Sequence, residues 1–270
     1  PSLTEITVPA GGTDTFTVTV SVPADALAGA SDAATVTITS QADDTATDSS
    51  TLTTSANTVY GVTLTPATAA DSGNPGTDVT YTLTVTNTGN ISDDFTLATG
   101  ATVWTTVIAP TTITDLAPGA TAEVTVTVSI PGTATGGDTD VADVTVTSTG
   151  DGTVTDSSEL TTTASILAGV LLTPETAANA GYPGATVTYT LTVENTGNAE
   201  DTFDVVVDSI WTSTPSVAEI TLGAGATTTF DVAVTIPADA LAGALDVATV
   251  SVTSQADDTV TDTAALTTTT

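Results

Sequence analysis

The sequence predicts an all-β chain of tandem immunoglobulin-like β-sandwich domains, about 107 residues each. Three observations predict it. Apolar residues alternate at period two over run after run, a long segment recurs at a spacing of 106 to 108 residues, and about a quarter of the 270 residues are the β-branched Thr.

The alternation is strict. Val79, Tyr81, Leu83 and Val85 are separated by Thr, and Val124, Val126, Val128 and Ile130 follow the same rule. So do Phe16, Val18, Val20 and Val22, and again Phe230, Val232, Val234 and Ile236. One buried and one wet face is the pattern of antiparallel sheets packed as a sandwich. Turn signals separate the runs: Asn87-Thr88-Gly89-Asn90, Pro118-Gly119, Gly150-Asp151-Gly152 and Gly223-Ala224-Gly225. Seven strands fit one unit, near 61–65, 78–87, 93–99, 103–108, 121–130, 141–148 and 153–162. No helix longer than one turn is expected, with Ala24–Ala28 and its copies as the place for such a turn.

The repeat sets the expected domains. Pro75 through Asn90 recurs as Pro183 through Asn198, and Trp104 has its counterpart in Trp211. The second half of the unit occurs three times, with Val22 to Ala30 returning as Ile236 to Ala244 and a diverged copy from Ile130 to Gly136. The units read as 1–59, a C-terminal half repeat, then 60–166 and 167–270. A half sandwich leaves its core open, and the chain starts at Pro1 without an initiator Met, so an excerpt of a longer array is expected.

Composition removes whole classes of function. The chain has no Lys, Arg, His, Cys or Met, while Asp and Glu total 32, a formal charge of -32. Nothing here neutralises phosphate, so nucleic acid and anionic lipid are not expected partners. There is no imidazole, thiolate, Schiff-base amine or disulfide, and no apolar run long enough for a membrane span. With 40% apolar residues the chain still has the means to fold. On a unit exposing about 5,400 Å² the carboxylates stand ~20 Å apart, beyond the ~8 Å Debye length, so the charge solubilises more than it disrupts.

The run Pro-Gly-x-x-Val-x-Tyr-x-Leu-x-Val-x-Asn-Thr-Gly-Asn, then Asp-x-Phe, a Trp, Leu-x-Pro-Gly and a closing Val-x-Val-x-Ser resembles the Ig-like repeats of alpha-galactosidase-associated domains and prokaryotic surface proteins. The third unit departs from it, with Leu222-Gly223-Ala224-Gly225 in place of Leu116-Ala117-Pro118-Gly119. The resemblance implies spacers or accessory modules on secreted or surface proteins and carries no catalytic residue.

Acidic loops are the candidate sites. Asp43, Asp44 and Asp48 fall between the last two strands of the first unit, and Asp257, Asp258 and Asp262 repeat them, while the middle copy keeps Asp151 and Asp156. Calcium takes six to eight hard oxygen ligands, which three Asp with Thr hydroxyls and carbonyls could supply; solvated turn acids are the plainer alternative. Asp138, Asp140 and Asp143 form a second cluster, of which the third unit keeps only Asp246. No catalytic residue and no required cofactor is expected, since a carboxylate pair for glycoside hydrolysis needs a cleft that nothing marks.

Trp104 and Trp211 read as core plugs before sugar platforms, Tyr81 and Tyr189 as core, and Tyr60 and Tyr182 as residues that could pack at unit junctions. The Thr ladders suit any outer sheet face, an ice-matching array or O-glycans being the sharper ideas, and Asn90-Ile91-Ser92 forms one N-glycosylation sequon. A Thr–Gln ester cross-link fails, because Gln41 and Gln255 have Thr149 as their middle counterpart. The sequence thus points to a non-enzymatic extracellular or cell-surface protein: a stalk, filament or surface-layer subunit partnered by like neighbours. The alternative is an accessory module that binds calcium or carbohydrate in a larger secreted protein. Lateral assembly of so acidic a surface would need bridging cations, and chelators or low salt should weaken it.

Overall fold

The computed structural model describes residues 1–270 and contains strands and turns but no helix. The first full unit holds β3 (Val62–Thr65), β4 (Thr68–Gly73), β5 (Asp78–Asn87), β6 (Asp93–Thr99), β7 (Thr105–Ala109), β8 (Thr112–Leu116), β9 (Thr121–Ser129), β10 (Thr139–Ser148) and β11 (Thr155–Ala164). They form two sheets, ordered β3-β5-β9-β7 and β4-β11-β10-β6-β8. The next unit repeats the plan with β12 (Val170–Thr173), β13 (Thr176–Ala180), β14 (Thr186–Asn195), β15 (Asp201–Asp208), β16 (Thr212–Pro215), β17 (Glu219–Leu222), β18 (Thr227–Thr235), β19 (Leu245–Ser254) and β20 (Thr261–Thr269). Its sheets are β12-β14-β18-β16 and β13-β20-β19-β15-β17.

Each unit therefore has nine strands where the turn signals predict seven. The seven expected strands are present within a few residues of their predicted bounds. The first of them is followed by a second segment on the opposite sheet: β3 runs antiparallel to β5, and past Pro66 the chain crosses over so that β4 runs parallel to β11. Proline donates no ladder hydrogen bond, so a crossing between sheets is a natural place for it. The other addition, β8, pairs with β6 through an irregularity between Asp93 and Phe95, beside Asp115 with its φ of 52°.

Alternation fills the two cores as expected. Tyr81, Leu83, Val85, Phe95, Val124, Val126, Val144, Val146 and Leu160 are buried together in one, and their counterparts from Leu172 to Leu266 in the other. The tyrosines do more than fill space. Tyr81 spans the sandwich from β5 and donates its hydroxyl to Thr161 O at 2.8 Å, with Thr162 Oγ1 at 2.9 Å. Tyr189 does the same to Thr267 O at 2.7 Å and Thr268 Oγ1 at 2.9 Å.

The N-terminal segment differs. It forms a single hairpin of β1 (Ser31–Thr39) and β2 (Thr47–Ser55), and Phe16 to Val22 form no strand despite their alternation. The physical reason is the missing ladder. The equivalent β9 and β18 pair with β5 and β14, for which residues 1–12 hold no counterpart. Ile38 is consequently 50% exposed, whereas Val146 and Val252 at the same place in the full units are fully buried. An open groove of about 580 Å³ remains between Phe16, Val18, Val36, Ile38 and Leu52.

Candidate functional site

The acidic loops are local turns. Asp43 Oδ1 accepts hydrogen bonds from Thr45 N at 3.0 Å and Thr45 Oγ1 at 2.7 Å. Asp151 binds Thr153, and Asp257 binds Thr259, with the same pair of distances. Donation to the ionised form, first from the Thr hydroxyl and then from its amide, holds each of these carboxyls below the ordinary Asp range. The later acids of the loops do different work. Asp156 Oδ2 accepts from Leu64 N at 2.7 Å and Asp262 Oδ2 from Leu172 N at 2.7 Å, fastening the last strand of each unit to its first. Asp48 caps only Ser49 N, at 2.9 Å, because the half unit has no such first strand. Asp44 and Asp258 are exposed. No three carboxylates of the chain stand where they could share a metal ion.

The second acidic cluster is dispersed as well. Asp140 is buried and accepts from Val103 N at 2.8 Å, and Asp246 accepts from Ile210 N at 3.1 Å and Trp211 N at 3.3 Å. Both carboxylates thus hold the loop that carries the tryptophan. Trp104 is buried in its core, and Trp211 packs half-buried against the other. Tyr60 lies against Gly150 within its own unit, and Tyr182 is 86% exposed.

Two polar constellations were not foreseen from sequence. The first is internal. Asp93 Oδ2 accepts from Ser148 Oγ at 2.5 Å while its Oδ1 accepts from Asp94 N and Gly150 N. Asp201 and Ser254 repeat this at 2.5 Å, so Asp93 and Asp201 both have hydrogen-bond donors on both oxygens. Asn87 and Asn195, also buried, fold their loops by donating to Leu116 O at 2.7 Å and Leu222 O at 2.9 Å. The sequence signal was there: Asp and Ser recur in register in both units, and so does Asn.

The second constellation is the joint between units. The Asn-Thr-Gly-Asn turn places its last Asn against the preceding unit. Asn90 Nδ2 donates to Ala26 O at 3.1 Å and Asn57 O at 2.9 Å, while its Oδ1 accepts from Val59 N at 2.8 Å. The backbone completes the clasp, with Ala28 N donating to Asn90 O at 2.9 Å and Asn90 N to Val59 O at 2.9 Å. Asn198 repeats it without the side-chain bond to the preceding loop, donating to Ser165 O at 2.9 Å and accepting from Leu167 N at 2.7 Å, with Gly136 N on Asn198 O at 2.9 Å. Glycine is required inside the turn, since a Cβ on Gly89 would stand 2.6 Å from Val59 O and one on Gly197 2.5 Å from Leu167 O. The sequon Asn90-Ile91-Ser92 therefore has its acceptor nitrogen engaged in the joint.

Comparison with known proteins places these units. The family described as NPCBM-associated, NEW3 domain of alpha-galactosidase matches residues 73–149 and 182–255, more than half of the chain. The chain belongs to that family. The matched segments run from β5 to the end of β10 in one NEW3 unit and over the corresponding strands in the next. No curated protein matches the chain. Among solved structures, a protein of unknown function from Porphyromonas gingivalis W83 is similar at 15% identity, covering 77% of this chain and 99% of its own, with a TM-score of 0.33. Extracellular cadherin domains 3-6 of Protocadherin Gamma B2 align at 11% identity over 83% of this chain and 56% of theirs, with a TM-score of 0.45. The ASH / PapD-like domain of human CEP192 aligns at 14% identity over 38% of this chain and 84% of its own, with a TM-score of 0.32.

Proposed function

We propose that this chain is a non-catalytic structural segment of an extracellular or cell-surface protein, in which NEW3 units in series act as spacers in a stalk or filament. The observation that carries the reading is the pairing of self-contained cores with a repeated joint. Each sandwich closes around its own apolar residues, and the two joints use the same Asn and the same backbone bonds. Length then grows with copy number, as in other arrays whose units touch mainly their neighbours. Chemistry agrees with this: the buried Asp93 and Asp201 spend their oxygens on serine and backbone donors, and the chain offers trypsin no Lys or Arg. Like units of the same chain, or of other copies, are the partners this reading expects.

The test is electron microscopy of the native protein at its source, with antibody against the chain. Regular projections or fibres whose length falls by roughly 30–40 Å when one unit is deleted, about the span of a strand of eight to ten residues, support a spacer. A protein found only inside cells, or a length indifferent to unit number, overturns it. The family's description, a domain of alpha-galactosidase, favours a second reading, an accessory module of a secreted glycosidase. Saturable retention of the chain on a glycan array would select that reading over the spacer.

A further inference from the structure

We propose that the loop from Pro237 to Gly243 is a docking surface for the Asn-Thr-Gly-Asn turn of a further NEW3 unit, entering on a linker like Asn57-Thr58-Val59. The inference stands on joint geometry and goes beyond the spacer reading.

Residues 237–243 repeat residues 23–29 one for one, as Pro-Ala-Asp-Ala-Leu-Ala-Gly. They are also folded alike: Ala26 N donates to Pro23 O and Ala240 N to Pro237 O, both at 3.1 Å, and Gly29 and Gly243 have φ of 78° and 81°. In the first copy Ala28 N and Ala26 O are the two groups that receive Asn90. Their counterparts are Ala242 N and Ala240 O, and Ala242 N donates to no acceptor in the chain. The neighbouring Leu241 is 79% exposed at this tip. The same end thus presents, in the same conformation, the surface that already binds this turn elsewhere in the molecule.

The loop also discriminates between linkers. In the second joint the position of Ala28 is taken by Gly136, where a Cβ would stand 2.9 Å from Ile166 Cα, Ile166 Cγ1 and Asn198 Oδ1. The second joint as a whole, with the Ile166 backbone and side chain and the Asn198 amide against this position, therefore takes Gly, while the first joint, with Thr58 in the linker, carries Ala28 there. Having Ala242 there, the loop from Pro237 to Gly243 fits a unit led by Asn57-Thr58-Val59 and crowds one led by Ser165-Ile166-Leu167.

The test extends the full chain. Residues 57–166 are appended directly after Thr270, and amide hydrogen exchange is followed at Ala242, with Ala28 as the internal standard. The proposal expects Ala242 to exchange at least tenfold more slowly than in the parent chain and to approach Ala28. Appending residues 165–270 in place of 57–166 should give weaker protection, restored by Ala242→Gly. Asn90→Asp in the appended unit removes both donors and should return Ala242 to the parent rate, while the Trp fluorescence of that unit, with Trp104 and Trp211 of the parent chain replaced by Phe, reports that it is folded. Parent-rate exchange at Ala242 in the unmutated fusion, with Ala28 protected in the same molecule, overturns the proposal. So does equal protection by both linkers.

Discussion

Tyr189→Phe tests how the two sheets of a unit are held together. The substitution keeps the ring, which is buried, and deletes only the hydroxyl that reaches Thr267 O at 2.7 Å and Thr268 Oγ1 at 2.9 Å. A lost hydrogen bond costs about 1 kcal/mol, and a buried hydroxyl left without a partner costs a further ~1–3 kcal/mol. Thr268 is fully buried, so the second cost applies, and the expected loss is about 2–4 kcal/mol. In a unit of about 100 residues that lowers the melting temperature by roughly 8–30 °C. Thr268→Val alone should cost ~1 kcal/mol, because the tyrosine keeps its bond to Thr267 O. The double variant should recover part of the loss, since no orphaned hydroxyl remains, which leaves a coupling energy of about 1–2 kcal/mol. The assay is urea unfolding followed by Trp211 fluorescence in a Trp104→Phe background, which silences the other unit. A Tyr189→Phe shift below ~0.5 kcal/mol, or a double variant equal to the sum of the singles, refutes the reasoning.

Further consequences follow from the polar groups and the core. Thr259→Val deletes the strongest donor to Asp257, so the Asp257 carboxyl should rise toward its ordinary range in an NMR titration. Because the folded-state value is depressed, the stabilisation of this turn is present above the unfolded Asp pKa of about 3.9 and is lost as pH falls through the lower folded value. The protection of the Thr259 amide, judged by its exchange rate relative to an unstructured amide at the same pH, should therefore fall in acid in the wild type and depend less on pH in the variant. Leu191→Ala, at a fully buried position, should cost about 3–5 kcal/mol in the urea midpoint of its own unit and leave the Trp104 transition unmoved. Calcium should produce no saturable shift confined to residues 43–48, 151–156 or 257–262 in NMR spectra, since no three carboxylates of the chain converge there and Asp43, Asp156 and Asp262 already fasten turns and strands; a stoichiometric site there would contradict this reading of the loops.

Much of the fold was legible because burial in a sandwich writes itself at period two. Tyr81, Leu83 and Val85 declare both strand and inward face. What escaped were strands with little to bury. The β4 sequence Thr-Ala-Ala-Asp-Ser-Gly has one partner strand and mostly exposed side chains, so no alternation marks it. The failure of Phe16–Val22 to form a strand shows the converse: alternation states a preference for a sheet, and the ladder must come from a partner. The acidic loops were found, but their composition does not say how oxygens are spent. An Asp two residues before Thr reads alike as a ligand and as a turn, and the structure shows the turn bond, Thr45 Oγ1 on Asp43 Oδ1 at 2.7 Å. Asn90 was hidden for a related reason: Asn-Thr-Gly-Asn announces a turn, and a turn needs only its first Asn. That the fourth residue reaches another unit is a long-range fact.

The central claim is that the two full units are separate sandwiches in series, each closing its own core. Single-molecule stretching of the chain from its ends tests it most directly. The account predicts two rupture events of similar size, each releasing about 100 residues, or about 350 Å of chain less the ~40 Å folded length, with the N-terminal hairpin yielding first at low force. One rupture releasing both units together would contradict it.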